Sequence, residues 1–233
     1  MRRAVNDPEA AEALVPHYPM SCKRQIIDIG YFETFNCGNV TLVDLRKGRI
    51  QCVTEHGIET EQGAFELDSI LYATGFDAMT GALNRIDIRG RDRQLLRDQW
   101  ASEVPQTYLG LQIARFPNLF TITGPGSPSV NANMIPAIEQ HVDWIGSCLA
   151  EMRKAGFTPV DATDAAQAAW VEHVAFTAEA TPVRTHVSCT SWYLGANIPG
   201  KSHVYMPYSG GLNVYRDKCN DVASRGYEGF LLS

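Results

Sequence analysis

Between residues 116 and 156 an apolar run, a turn that no strand can continue and a helical repeat follow one another, and the rest of the chain must accommodate that unit. Residues 119–123 read as a short buried strand. Gly124-Pro125-Gly126-Ser127-Pro128 ends it, and apolar residues return at Ile135, Ile138, Val142, Ile145, Leu149 and Met152. Alternating steps of three and four are the signature of one helix face. Pro136 suits a first turn, where its missing N–H has no partner to lose. Arg153 and Lys154 suit the negative end, and Gly156 is a ready C-cap. The expected unit is strand, glycine-rich turn, helix. It leaves unpaired backbone N–H groups and the positive end of a helix dipole above the strand's carboxyl end, where an electron-rich ligand edge binds well. The plainer alternative is a strand-to-helix crossover whose turn is rich in Gly and Pro for geometry alone.

Charge and composition remove several classes of function. A formal net charge of -6 and a pI near 5.5 argue against a nucleic-acid surface, which needs clustered Lys and Arg. At 45% hydrophobic and 20% charged, the 233 residues are ordinary for a soluble globular protein. No apolar run approaches the ~20 residues that span a bilayer, so no membrane partner is expected. The first residues hold two arginines but no apolar signal core, which points to the cytoplasm. Cysteines at 22, 37, 52, 148, 189 and 219 form no CxxC pair and have no His at ligand spacing. They read as reduced thiols, with no metal site.

Along the chain, Asp7-Pro8 is a plausible cap and first position for a helix reaching residue 14. Residues 26–27 and 40–43 read as strands, with Tyr31, Phe32 and Phe35 packing between them. Residues 50–54, 58–60 and 65–67 form a meander across two turn dipeptides, His56-Gly57 and Gln62-Gly63. Residues 68–76 then read as a buried strand ending on Gly75. Its small residues Ala73, Thr74 and Gly75 let a backbone approach a ligand closely or simply make a tight exit from the core. Residues 84–105 are charged and turn-rich, a surface excursion anchored by Trp100. An alanine-rich helix with Trp170 and Val174 inward is expected within 161–180, capped by Thr163 or Asp164. His173 is assigned no role. Residues 181–211 have no periodicity, which marks a functional or mobile loop. Residues 212–223 read as a final helix with Gly226 as its cap.

Five stretches together resemble the Baeyer-Villiger monooxygenases, FAD- and NADPH-dependent enzymes that insert oxygen next to a ketone carbonyl. GPGSPSVNANM at 124–134, followed by IEQHVDW, is similar to that family's flavin-facing segment. ATGFDAMTGAL at 73–83 resembles the linker between its two nucleotide-binding domains. Lys23-Arg24 ahead of GYFETFN is similar to its Lys-Arg pair, SWYLGANIPGK at 191–201 to its mobile control loop, and Tyr227-Glu228-Gly229-Phe230 to its chain end. Read on its residues alone, Lys23-Arg24 is either a phosphate clamp or a solvated surface pair, and Trp192-Tyr193 is either a lid or a hydrophobic plug.

The resemblance implies roles. Arg24 is the catalytic cation, reaching the flavin and stabilising negative charge there. Lys23 meets the 2′-phosphate of NADPH. Thr74, Gly75, Phe76, Gly124 and Met134 line the cofactor site, and Trp192 closes over NADP. Ser129, Val130, Asn131 and Ala132 touch the ketone substrate. The implied fold is α/β: the C-terminal portion of a flavoprotein with two dinucleotide-binding domains, carrying a small β-meander and a helical C-terminal part. Residues 1–80 are then the end of the NADP-binding domain with its return linker. Residues 81–156 belong to the FAD-binding domain and 157–233 to the helical part with the control loop.

One expected signal is missing. A dinucleotide-binding chain carries GxGxxG after an early strand, with an acidic residue about twenty positions on. Gly124-Pro125-Gly126 comes nearest, and its prolines break the pattern. The expectation is therefore a C-terminal fragment that needs a complementary N-terminal chain to hold FAD. The alternatives are a remnant that binds no FAD alone, and part of a flavin-containing monooxygenase that oxygenates N or S.

Overall fold

The structure, a computed structural model, describes residues 2–20, 22–102, 104–128, 132–180, 190–201 and 203–233. Two compact units emerge: Met1–Tyr18 with Gln25–Gly75, and Pro19–Arg24 with Phe76–Ser233.

In the first unit, helix α1 (Pro8–Ala13) starts as its sequence dictates. The side chain of Asp7 accepts from the N–H of Glu9, and Pro8 occupies the first turn. Strands β1 (Ile50–Thr54), β2 (Gly57–Thr60) and β3 (Gly63–Glu66) form an antiparallel meander in the order β1-β2-β3. Val53 faces Ile58 and Ile58 faces Phe65, so the apolar residues share rungs. Gly57 has φ 151°, and a Cβ there would lie 1.9 Å from the Phe65 carbonyl oxygen, which leaves glycine as the residue for that turn.

Three expected strands do not form. Residues 26–27, 40–43 and 68–76 have no ladder. Ile26, Ile27 and Leu71 are 88%, 90% and 95% exposed. Extended apolar residues become a strand only when a neighbour supplies the other half of the ladder, and among the described residues none does.

The second unit holds α2 (Gly81–Asn84), α3 (Leu96–Ser102), α4 (Met134–Ala155), β4 (Val160–Ala162), α5 (Asp164–Glu179), α6 (Leu212–Ser224) and β5 (Phe230–Leu232). Its main core gathers Tyr108, Leu109 and Leu111 from a tight turn with Trp144 and Cys148 of α4, Trp170 and Val174 of α5, Tyr215 and Cys219 of α6, and Phe230 of β5. Trp144 Nε1 donates to the Cys219 carbonyl at 2.9 Å and so ties α4 to α6. β4 pairs antiparallel with β5, Ala162 opposite Phe230, which folds the chain end back into the core.

Caps obey the sequence here. Gly156 ends α4 in the left-handed conformation at φ 75°, Thr163 accepts from the N–H of Ala166 at the head of α5, and Gly226 follows α6 with φ 72°.

Four expectations change. Residues 119–123 make a single bridge between Gln112 and Phe120 rather than a strand. Residues 84–105 are more than a surface excursion: α3 and the buried residues Leu96, Trp100, Ile113 and Phe116 form a second small core. Along α4 the buried face is Ala137, Gln140, His141, Trp144, Cys148 and Met152. Of the expected stripe, Ile135, Val142 and Leu149 are exposed. Burial follows the large aromatic Trp144 and the hydrogen-bonded His141 ring rather than the aliphatic count. Cys22 is disulfide-bonded, while Cys37, Cys52, Cys148 and Cys219 are free as expected.

Candidate functional site

The head of α4 carries the site. Asn133 caps it, its Oδ1 accepting from the N–H of Ile135 at 3.1 Å. The helix runs for 22 residues, so its amino end presents a full partial positive charge. Ala132, Asn133 and Met134 there line a concavity of about 450 Å³ together with Arg24 and Trp192. Residues separated by more than 160 positions in sequence thus share one wall.

Arg24 is exposed and supplies a guanidinium at the positive end of the helix. Its charge is felt at the neighbouring loop: burial pushes the Tyr193 phenol up, and Arg24 pulls it the other way. Trp192 opens a short 3-10 turn (Trp192–Leu194) whose cap is Ser191, the side chain accepting from the N–H of Tyr193. Tyr193 and Leu194 are buried and fix the turn, while Trp192 stays half-buried and lines the concavity. The plug is thus Tyr193 with Leu194, and Trp192 is the residue of the pair that reaches the concavity.

The loop is tied down further along. Lys201 forms an ion pair with Asp77, and its Nζ also donates to the Ala78 carbonyl at 3.1 Å. Asn197 Nδ2 donates to the Phe76 carbonyl at 3.2 Å. The stretches resembling the control loop and the linker are held to each other by these bonds.

The glycine-rich turn is built differently from the expectation. Its N–H groups are largely used internally: Gly126 donates to the Met206 carbonyl at 2.7 Å, Ser127 to Gly124 at 3.1 Å, and Thr123 to Nδ1 of His141 at 2.9 Å. A Cβ on Gly124 would stand 2.6 Å from Thr121 Oγ1 and 2.7 Å from the Gly110 carbonyl oxygen. Glycine at 124 therefore answers first to the turn at Gly110 packed beneath it.

Of the other expected site residues, Lys23 is exposed beside Arg24. Thr74 and Gly75 are exposed at the end of the first unit, Gly75 with φ 85° and open space around its Cα. Phe76, 89% exposed, opens the second unit. Ser129, Val130 and Asn131 lie outside the described residues. Sequence reasoning missed Asn133 and His141. The Asn-Met-Ile-Pro run was a readable cap signal for Asn133; His141 had none, because its value depends on what packs beneath the turn.

Chemically, the concavity offers a guanidinium, a helix amino end, the Trp192 indole and Met134. That set suits a planar ligand with a negatively charged edge. Among the described residues no cluster of His, Cys, Asp or Glu is arranged to hold a metal, and no helix is long and apolar enough to cross a membrane.

No protein-family model matches the chain. Among curated proteins it is 39% identical over 236 residues to acetone monooxygenase (methyl acetate-forming) of Gordonia sp. (strain TY-5), covering 100% of this chain and 44% of that protein. It is 37% identical to cyclohexanone 1,2-monooxygenase of Acinetobacter sp, covering 97% of this chain and 40% of that protein. It is also 37% identical to phenazine N-monooxygenase PhzNO1 of Lysobacter antibioticus, again over 100% of this chain and 42% of the relative. The fold superposes on an oxidized steroid monooxygenase bound to NADP with TM-score 0.89 and 45% identity, and on closed cyclohexanone monooxygenase with TM-score 0.90 and 39% identity. Each covers 99% of this chain and 42% of the solved one. A third, OTEMO in complex with FAD and NADP, gives TM-score 0.86 at 41% identity, covering 100% of this chain and 42% of the other. The chain thus spans about two fifths of the length of the proteins it matches.

Proposed function

This chain is homologous along its whole length to part of the Baeyer-Villiger monooxygenases, and on that premise we propose that it forms the carboxyl-terminal wall of the cofactor site in an FAD- and NADPH-dependent enzyme that converts ketones to esters or lactones. The observation that carries the proposal is the shared concavity of Arg24, Met134 and Trp192 at the head of α4.

In this reading FAD, once reduced, supplies the oxygen-activating chemistry. Arg24, reinforced by the positive end of α4, holds negative charge that develops beside it and costs no reorganisation at the moment of reaction. Trp192 covers the nicotinamide cofactor and excludes water. Lys23 takes the 2′-phosphate. Thr74, Gly75, Phe76, Gly124 and Met134 complete the cofactor wall, and Ala132, with Ser129, Val130 and Asn131, faces the ketone.

Three further features support a complementary N-terminal segment as partner. The sequence has no dinucleotide fingerprint. The chain covers about two fifths of its relatives. Ile135, Val142 and Leu149 of α4 present an exposed apolar stripe, and Ile26, Ile27 and Leu71 in the first unit are exposed singly. A cytoplasmic enzyme is the accompanying reading. Ketone oxygenation is preferred to N-oxygenation because the acetone and cyclohexanone enzymes, at 39% and 37% identity, match as well as or better than phenazine N-monooxygenase at 37%.

The test is flavin absorbance of the chain purified alone and after co-expression with a segment carrying a GxGxxG fingerprint, followed by Arg24→Ala in the complex. The expected result is flavin retained only in the complex, with cofactor reduction by NADPH preserved and ester formation lost in the variant. Unchanged ester formation in Arg24→Ala removes Arg24 from the reaction.

A further inference from the structure

Both ends of one buried hydrogen-bond chain land on non-glycine residues in the left-handed backbone region. Thr123, at φ 53°, donates its N–H to His141 Nδ1 at 2.9 Å. Leu109, at φ 59°, accepts through its carbonyl from the Tyr215 hydroxyl at 2.6 Å. The chain is closed in the middle, where Tyr215 Oη and His141 Nε2 stand 2.8 Å apart. His141 and Tyr215 are both 0% exposed.

Donor and acceptor counting leaves one arrangement. Nδ1 accepts an amide proton and therefore carries none. The single phenolic proton goes to the Leu109 carbonyl, so Nε2 must carry the imidazole proton and donate it to Tyr215 Oη. The ring is neutral, and every polar atom in the chain has its partner.

Left-handed backbone at a β-branched or bulky residue costs about 1–3 kcal/mol and persists only where surroundings over-determine it. Here they do. Leu109 precedes Gly110, whose carbonyl accepts from Thr121 Oγ1 at 2.9 Å, and Thr123 precedes Gly124, which packs against that same carbonyl. The relay thus grips the two turns from below at adjacent points, and one of them is the glycine-rich turn that leads to the head of α4.

We propose that His141 is a positioning residue: acting with Tyr215, it holds Leu109 and Thr123 in the left-handed conformation and thereby sets where the Gly124-Pro125-Gly126 turn stands relative to the helix that bears the candidate site. Its functional meaning rests on the flavin-facing reading of that turn; its geometry does not.

The test uses the 233-residue chain. Nitrogen-15 shifts of His141 at neutral pH report the tautomer, and amide hydrogen exchange reports Thr123. His141→Asn leaves an acceptor where Nδ1 stood, whereas His141→Gln places its amide toward Tyr215 and leaves Thr123 without an acceptor. Expected are a bare Nδ1 with protonated Nε2, and Thr123 exchange about tenfold faster in His141→Gln but within about threefold of the parent in His141→Asn, the factor one net hydrogen bond carries. Amides of Trp144 and Cys148, in the middle of α4, stay unchanged. The opposite tautomer overturns the proposal, as does equal acceleration at Thr123 in both variants, or an acceleration in His141→Gln spread evenly over α4. Should His141→Gln not fold, the tautomer of the parent chain decides alone. Failure to retain flavin with a complementary segment counts against the proposed function and leaves these readouts standing.

Discussion

Arg91 Nε lies 2.8 Å from Oδ2 of Asp161, seventy residues further along the chain, and the carboxylate is buried while the guanidinium is half exposed. The other carboxylate oxygen accepts the N–H of Arg115 at 3.0 Å. Asp161 sits in β4, so one buried carboxylate joins three separate segments of the second unit.

Removing that acceptor takes its partner from the part-buried N–H of Arg115 and releases the half-exposed Arg91 guanidinium to water. Asp161→Ala is expected to lower stability by about 2–4 kcal/mol. Arg91→Ala, which leaves the buried carboxylate with one remaining bond, is expected to fall in the same range. Urea midpoints measure both; a loss under about 0.5 kcal/mol, the level of an exposed ion pair, contradicts the assignment.

Acid should weaken the second unit through His141. Burial pushes its pKa down from 6.5 to about 4, so the folded chain keeps the ring neutral where the unfolded chain protonates it. Tyr215, which faces the ring from α6, and Cys219 beside that tyrosine are both pushed up by burial and stay neutral there. The unfolded state binds the extra proton, so the contribution is complete above about pH 6.5 and disappears as pH falls through 4, a loss on the order of 3 kcal/mol. In His141→Asn that part of the slope should be absent from the stability profile between those two values.

Two glycines should respond in opposite directions. Gly124→Ala drives a methyl to 2.6–2.7 Å from Thr121 Oγ1 and the Gly110 carbonyl, and roughly 2–3 kcal/mol of destabilisation is expected. Gly146, on the exposed face of α4, has open space around its Cα. Gly146→Ala should stabilise by about 0.5–1 kcal/mol through helix propensity alone. Thermal melts of the pair give the comparison, and a stabilised Gly124→Ala would mean the two turns are not packed as described.

The ion pair of Lys201 with Asp77 holds the loop after Trp192 to the stretch after Phe76. Lys201→Met is expected to speed hydrogen exchange at residues 192–201 while leaving α6 unchanged. Equal exchange in both proteins would show that Asn197 and the buried Tyr193 suffice to hold the loop.

Much of the candidate site was legible in the residue string. Arg24, Ala132, Met134 and Trp192 were marked by motif, and they line one concavity. Helix caps were legible for the same reason: a cap is satisfied within four residues, so Asp7, Thr163, Gly156 and Gly226 act where local chemistry places them. Strands at 26–27, 40–43 and 68–76 were not, because half of every ladder bond belongs to another segment and apolar alternation cannot reveal whether that segment is present.

Sequence by itself determined the caps of α1, α4, α5 and α6 and the meander's turns, since these depend on neighbours within a few positions. Only the tertiary structure decided which side of α4 is buried, that Leu109 and Thr123 adopt left-handed backbone, and that His141 is neutral with its proton on Nε2. Those outcomes depend on partners that meet only when distant segments pack, and the deciding energy is the cost of leaving a buried polar group without one.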